Sequence, residues 1–282
     1  MDRLEKALQK ARAQRNDAAP APGAAPIQAQ APDAAPDAPG RPAAVRSKAV
    51  TVDDGDFERN RIVARAARDP NADIFRILRT KVLQGMERMG AKTIAVTSPT
   101  SGDGKTTVAI NLALSFALDV KQTVLLVDLD LRDPSVHRFM GLDSPVGLTD
   151  YFLDDIPVPD CLVKPEIDRL MVLPIVRPLD NSSEILGTPK MAPLANELKT
   201  RYADRIVIYD KPPVLTQDDT IAFMPHVDAV LLVVRDGKTM ADHVAECMHV
   251  LGDTPILGVV LNDGKEGGVK RATVAAPRGE DA

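Results

Sequence analysis

From residue 49 onward, short apolar runs alternate with longer amphipathic stretches. Six runs have the length and β-branched content of buried strands: "TIAVT" (93–97), "TVLLV" (123–127), "LMVLP" (170–174), "RIVIY" (205–209), "AVLLVV" (229–234) and "ILGVVL" (256–261). Between them the spacing predicts helices, for example over 105–118 and 239–251. Continuous apolar strands separated by helices imply a mostly parallel central sheet covered on both faces, a three-layer α/β sandwich. The apolar runs are far shorter than the ~20 residues of a membrane span.

The ends of the chain follow other patterns. In residues 1–16, Leu4, Leu8 and Ala11 fall on one helical stripe, with Lys and Arg in excess on the remaining faces. A short basic amphipathic helix of this kind docks on a partner or touches anionic lipid; the alternative is a frayed, solvated peptide. Residues 17–48 are mostly Ala and Pro, which gives a disordered tether with nothing to form a core. The folded domain is therefore expected over 49–264, with a flexible polar tail over 265–282. Residues 1–20 hold no apolar segment of the secretory kind.

Composition narrows the picture. Of 282 residues, 44% are hydrophobic but only 3% aromatic, so the core must be aliphatic. A net charge of -5 gives no electrostatic reason to expect nucleic acid. Cys161 and Cys247 lie far apart in apolar surroundings, which favours two reduced buried thiols over a disulfide. His243, Cys247 and His249 share a predicted helix, but only the first two are four apart, so packing is favoured over zinc.

The chemistry starts at "SPTSGDGKTTVAINLA" (98–113). A strand, a glycine-containing loop and a helix N-terminus follow one another, the context that a phosphate cradle requires. Gly102 and Gly104 let backbone N–H groups approach phosphates, Lys105 brings a point charge, and Thr106 offers a hydroxyl to Mg²⁺. The usual first glycine of such a loop would stand at position 99, which is Pro99. Two acidic strand ends come next. Asp128, Asp130 and Arg132 alternate where "TVLLV" ends, so period two places them on one face. Asp210 ends "RIVIY" and is followed by Pro212 and Pro213. Carboxylates at the C-terminal tips of buried strands beside a phosphate loop suit Mg²⁺ and an attacking oxygen.

In this order the three motifs resemble the Walker A, Walker A′ and Walker B motifs of bacterial tyrosine kinases, the cytoplasmic autokinases of capsule and exopolysaccharide synthesis. That family also lacks the first loop glycine. "VLLVDLDLRDPSVHRFMGL" (124–142), "DIFRILRTKV" (73–82), "NSSEIL" (181–186), "DAVLLVVRDGKT" (228–239) and "ILGVVLN" (256–262) extend the resemblance over nearly all of 70–264. It implies a P-loop NTPase fold that binds ATP and Mg²⁺ through Ser101, Gly102, Asp103, Gly104, Lys105, Thr106 and Thr107. It places Asp128 near the attacking oxygen as a base, gives Asp130 the metal and its waters, and has Asp210 hold Mg²⁺ through water. Lys105, Asp128, Asp130 and Asp210 are thus the expected catalytic set, and Thr106 with the three aspartates the metal set. Asn262 sits where relatives of this fold contact adenine. Asp73, Arg76 and Arg79 match an acid-x-x-Arg-x-x-Arg motif that packs on the neighbouring subunit of a homo-oligomeric ring. The short basic start and Pro-rich tether resemble single-chain members that work beside a separate membrane-embedded polysaccharide co-polymerase, which implies a cytoplasmic protein recruited to the inner face of the plasma membrane.

One departure stands out. Kinases of this family modify a tyrosine cluster in their own C-terminal tail, and "DGKEGGVKRATVAAPRGEDA" (263–282) has no tyrosine. The only three are Tyr151, Tyr202 and Tyr209, and Tyr209 is expected in the core. Two other readings therefore stay open: a nucleotide-gated scaffold without phosphotransfer, and an ATPase of the septum-placement or plasmid-partition type. The latter class carries an additional lysine where this chain has Thr100.

Overall fold

The computed structural model describes residues 48–52, 54–65, 69–266, 269–270 and 274–275. The amphipathic segment 1–16 and almost all of the expected tether lie outside the described residues.

The strands are β1 (Lys48–Val50), β2 (Thr93–Thr97), β3 (Thr123–Asp128), β4 (Val163–Pro165), β5 (Leu170–Leu173), β6 (Arg205–Asp210), β7 (Ala229–Arg235), β8 (Ile256–Asn262), β9 (Lys265–Glu266), β10 (Val269–Lys270) and β11 (Val274–Ala275). Nine of them form one sheet in the order β1-β4-β5-β3-β6-β2-β7-β8-β11. From β5 to β8 every neighbouring pair is parallel. These six strands are the six apolar runs of the sequence, each within one residue at either end. The edge strands β1 and β11, and β4 beside β1, have only two or three residues, too few for a burial period. β11 pairs antiparallel with β8, so part of the segment expected to be a loose tail extends the sheet.

The helices are α1 (Asp54–Arg59), α2 (Pro70–Met89), α3 (Lys105–Ala117), α4 (Val136–Phe139), α5 (Leu148–Asp154), α6 (Val158–Cys161), α7 (Ser182–Leu186), α8 (Met191–Thr200), α9 (Asp219–Phe223) and α10 (Ala241–Leu251). Strand side chains alternate between two cores. Ile94, Val96, Leu126 and Ile208 pack under α2 and α3 through Leu78, Val82, Ile110 and Leu114. On the opposite face, Leu125, Val127 and Val207 pack under Phe152, Leu186 and Leu194, and Val230 and Leu232 under Cys247 and Leu251. The three-layer expectation is met. Every residue of α3 except Lys105 and Thr107 is buried, which explains why its sequence is apolar all round. No helix among the described residues is long and apolar enough to cross a membrane.

α2 starts on Asp69, whose side chain accepts from Asn71 N at 2.7 Å, and stops at Gly90 with φ 64°. The apolar residues in its first half include Phe75, Ile77 and Leu78. Leu78 is buried and Phe75 partly so, but Ile77 is 56% exposed. The helical stripe toward α3 passes through 75, 78, 82 and 86, and Ile77 lies off it.

Candidate functional site

The sheet order places β6 between β2 and β3, although β6 comes much later in the chain. That puts the C-terminal ends of the loop strand and of both acidic strands side by side. Asp128 and Asp210 are register partners across β3 and β6, and Asp210 is also the partner of Val96 on β2. A crevice at the C-terminal ends of parallel strands is where open α/β sheets bind ligands.

The loop between β2 and α3 holds Gly102 at φ 75° and Gly104 at φ 95°, conformations that side-chain-bearing residues resist. A Cβ on Gly104 would stand 2.1 Å from Asn262 Nδ2. The loop is built from inside by Asp103, which is fully buried. Its carboxylate accepts from Thr100 N at 3.0 Å, Thr100 Oγ1 at 2.9 Å and Thr239 Oγ1 at 2.9 Å. On the outer side Lys238 Nζ donates to Ser101 O at 2.6 Å and Arg235 to Gly102 O at 3.1 Å. The loop is thus held from β7's far end as well as by its own turns.

A cavity of about 880 Å³ opens over the loop. Of the eight residues expected to hold a nucleotide, six line it; Ser101 and Asp103 do not. The Asp103 side chain is consumed by the loop, so its role is to shape the cradle. Asn262 lines the cavity while its amide nitrogen donates to Asp103 O at 2.9 Å, so it also braces the loop.

At the start of α3, Lys105 Nζ lies 2.9 Å from Asp130 Oδ2. Thr106 Oγ1 donates to Asp210 Oδ2 at 2.7 Å and lies 3.2 Å from Ser135 Oγ. Asp128 Oδ2 accepts from the backbone of Ser135 at 3.1 Å and Val136 at 3.0 Å, and Oδ1 from Asp130 N at 3.1 Å. All four expected catalytic groups therefore converge, with the helix N-terminus adding partial positive charge. Burial, reinforced by the Asp210 charge, holds the Asp128 carboxyl well above the usual carboxylate range. Burial likewise pushes Asp210 up to about 6, against the pull of Lys105. Lys105 itself pays for burial, but Asp210 and Asp130 outweigh that cost and hold its ammonium above the ordinary lysine value.

This set fits a magnesium ion. Asp210 Oδ1 is buried with no hydrogen-bond partner, and the crowded carboxylates call for a cation. No three His, Cys, Asp or Glu side chains among the described residues wrap an ion by themselves. Mg²⁺ keeps waters and takes one or two carboxylates plus phosphate oxygens, so it does not need such a cage. Thr106 and Asp210 are the groups placed to hold it.

Residues 94–273 match the family described as the CobQ/CobB/MinD/ParA nucleotide binding domain. Over 211 residues the chain is 32% identical to the tyrosine-protein kinase YwqD of Bacillus subtilis (strain 168), covering 74% of this chain and 88% of YwqD. The chain belongs to the bacterial tyrosine kinase family. It is also 30% identical over 212 residues to the succinoglycan biosynthesis transport protein ExoP of Rhizobium meliloti (strain 1021), covering 73% of this chain but 27% of ExoP, so it spans about a quarter of that longer relative. The crystal structure of the chimerical protein CapA2B2 superposes with a TM-score of 0.68 at 30% identity, covering 74% of this chain and 91% of the other.

Within this tyrosine kinase fold some expected residues are placed elsewhere. Arg132 leaves the face shared by Asp128 and Asp130: its Nε donates to Ser182 Oγ at 2.7 Å, and its guanidinium lies 3.7 Å from Asp218 and 3.8 Å from Asp219. The strand ends at Asp128, so period two no longer governs residue 132. Arg79 donates to Ser115 O at 2.7 Å and so is tied to its own α3, while Arg76 pairs with Asp73 on the same helix. Three contributors were missed. Ser135 hides inside the quoted motif as an ordinary small residue. Lys211 follows Asp210 yet is fully buried, donating to Asp219 O at 3.0 Å with its ammonium 4.8 Å from the Phe223 ring centroid; burial lowers its pKa to about 7 despite Asp219. Asn111 Oδ1 accepts from Val63 N at 2.7 Å and Ala64 N at 2.9 Å, fastening the segment that forms a wall of the cavity.

Proposed function

We propose that this chain binds Mg²⁺-ATP in the cavity over α3 and transfers the γ-phosphoryl group to a tyrosine hydroxyl. The carrying observation is the contact of Thr106 with Asp210 beside an Asp210 oxygen that has no other partner. When bound, the metal would neutralise phosphate charge and polarise the transferred group. The residues of the chain do the rest. Loop N–H groups freed by Gly102 and Gly104 orient the phosphates, and Lys105 offers its ammonium to them. Asp130, 2.9 Å from Lys105 Nζ, holds that ammonium in place. Asp128, whose raised proton affinity follows from burial and the Asp210 charge, takes the proton of the acceptor hydroxyl at a carboxylate oxygen.

The wider role we infer is control of exopolysaccharide or capsule synthesis at the inner face of the plasma membrane, beside a membrane-embedded co-polymerase. Support comes from the naming of ExoP as a succinoglycan biosynthesis transport protein and from the basic amphipathic pattern of residues 1–16. We further propose a homo-oligomeric ring whose contact is the α2 surface of Asp73, Arg76 and the exposed Ile77, with Arg79 bracing the helix from beneath. One observation favours a second reading, a nucleotide-gated scaffold without phosphotransfer: residues 263–282 contain no tyrosine.

The test is incubation of the full-length protein with labelled ATP and Mg²⁺, with and without the cytosolic segment of the membrane partner. The kinase reading expects transfer to tyrosine, lost in Lys105→Met together with ATP affinity. ATP binding with no transfer to any acceptor would establish the scaffold reading instead.

A further inference from the structure

Three tyrosines are available in the whole chain, and their surroundings differ sharply. Tyr209 is fully buried, with its ring edge-to-face on Phe223 at 4.9 Å. No kinase can reach its hydroxyl without unfolding β6. Tyr151 has one cation near its ring, Lys190 at 5.8 Å, and that ammonium is already 2.6 Å from Asp155. Tyr202 lies partly exposed in the turn between α8 and β6. The Arg205 guanidinium carbon stands 3.9 Å from its ring centroid and that of Arg201 stands 6.0 Å away.

Arg205 is unusual in itself. Its residue is only 7% exposed, and among the described residues no carboxylate lies within ion-pair distance of it. The Nε atoms of both Arg201 and Arg205 are buried without a hydrogen-bond partner. A guanidinium does not shed its proton in a protein, and the charge of Asp204, its neighbour in the chain, offsets the burial of Arg205 only in part. Arg201 has one acid, Glu197 at 2.5 Å. The Tyr202 turn therefore gathers two cations, Arg201 and Arg205, against two acids, Glu197 on α8 and Asp204 beside Arg205 in the chain.

We propose that Tyr202 is the phosphoacceptor of this chain, modified by a second copy, and that Arg201 and Arg205 hold the product phosphate. The proposal rests on the kinase reading above. In the step, Tyr202 Oη forms a bond to the γ-phosphorus of ATP, the bond from that phosphorus to the β–γ bridging oxygen breaks, and ADP leaves. The phenol proton passes to Asp128 of the copy that holds the nucleotide. A phosphotyrosine carries close to two negative charges and three acceptor oxygens, which suit two guanidiniums that flank the same ring. Transfer within one copy is excluded by the fold. Arg205 and Asp210 are opposite ends of β6, roughly 17 Å apart at about 3.3 Å per residue, so the Tyr202 turn sits at the far end of the sheet from the cavity.

The experiment uses full-length protein, Mg²⁺-ATP and phosphosite mapping, with a glutamate–tyrosine copolymer as an independent acceptor. Phosphate should appear on Tyr202. Tyr202→Phe should lose most self-labelling while its labelling of the copolymer stays within about twofold of wild type. Asp128→Asn copies mixed with Tyr202→Phe copies should gain phosphate at Tyr202, which only transfer between copies can give. In Arg201→Gln, an added tyrosine phosphatase should remove that phosphate roughly tenfold faster, because a charge-assisted pair is lost. Self-labelling at Tyr151 or elsewhere with Tyr202 unmodified would overturn this assignment while leaving the kinase reading intact. Failure to label the copolymer as well would overturn both.

Discussion

Asp210→Asn separates what the site costs from what it does. Burial raises the Asp210 carboxyl from 3.8 to about 6 in the fold. The sign is opposite to that of an ordinary salt-bridged acid. Between those two values the folded state keeps a proton that the unfolded chain has released. Stability is therefore lost as pH rises from about 4 to about 6, and stays lost above that. A shift of about two units corresponds to roughly 3 kcal/mol at about 1.4 kcal/mol per unit. Asparagine copies the protonated carboxyl in shape and can still accept from Thr106, whose hydroxyl lies 2.7 Å from Asp210 Oδ2. The variant, free of metal and nucleotide, should thus be more stable than wild type at pH 7.5 by on the order of 2–3 kcal/mol, or roughly 5–10 °C in Tm for a domain this size. The gain should vanish near pH 4. Thermal unfolding followed by circular dichroism in the presence of a chelator measures it across the pH range. Addition of Mg²⁺-ATP should then raise the Tm of wild type and leave the variant nearly unmoved. A variant less stable than wild type at pH 7.5, or equally responsive to Mg²⁺-ATP, would refute the view of Asp210 as a strained carboxylate kept for a cation.

Asn111→Ala should leave the backbone N–H groups of Val63 and Ala64 without their acceptor, at about 1–3 kcal/mol for each group left buried. Urea unfolding should show the loss, and proteolysis near residues 61–64 should accelerate as that cavity wall loosens. Gly104→Ala forces a side chain into φ 95° and onto Asn262; urea unfolding should show a loss of at least about 1–2 kcal/mol from the left-handed backbone, and calorimetry should show weaker ATP binding. Adding Asn262→Ala should relieve the collision but not the backbone term, so stability should recover only in part.

Much of this protein is settled by local pattern. A strand buried on both faces must be apolar along its whole length, so the six central strands announced themselves to within a residue. The phosphate loop and the acids at 128, 130 and 210 were equally legible, because a strand end, a glycine turn and a helix start follow one another in the chain. What the chain does not write locally is which elements become neighbours. Only the sheet order inserts β6 between β2 and β3 and so brings Asp210 beside Asp128. Asn262 braces Asp103 across a separation of 159 residues, and Asn111 reaches back 48 to Val63. A lysine ordinarily keeps its ammonium in water, yet packing under α9 and the Phe223 ring buries Lys211. The short edge strands and the outward turn of Ile77 were hidden for the same reason. Periodicity reports how much of a residue is buried, whereas the identity of the partner is decided by packing between segments far apart in sequence.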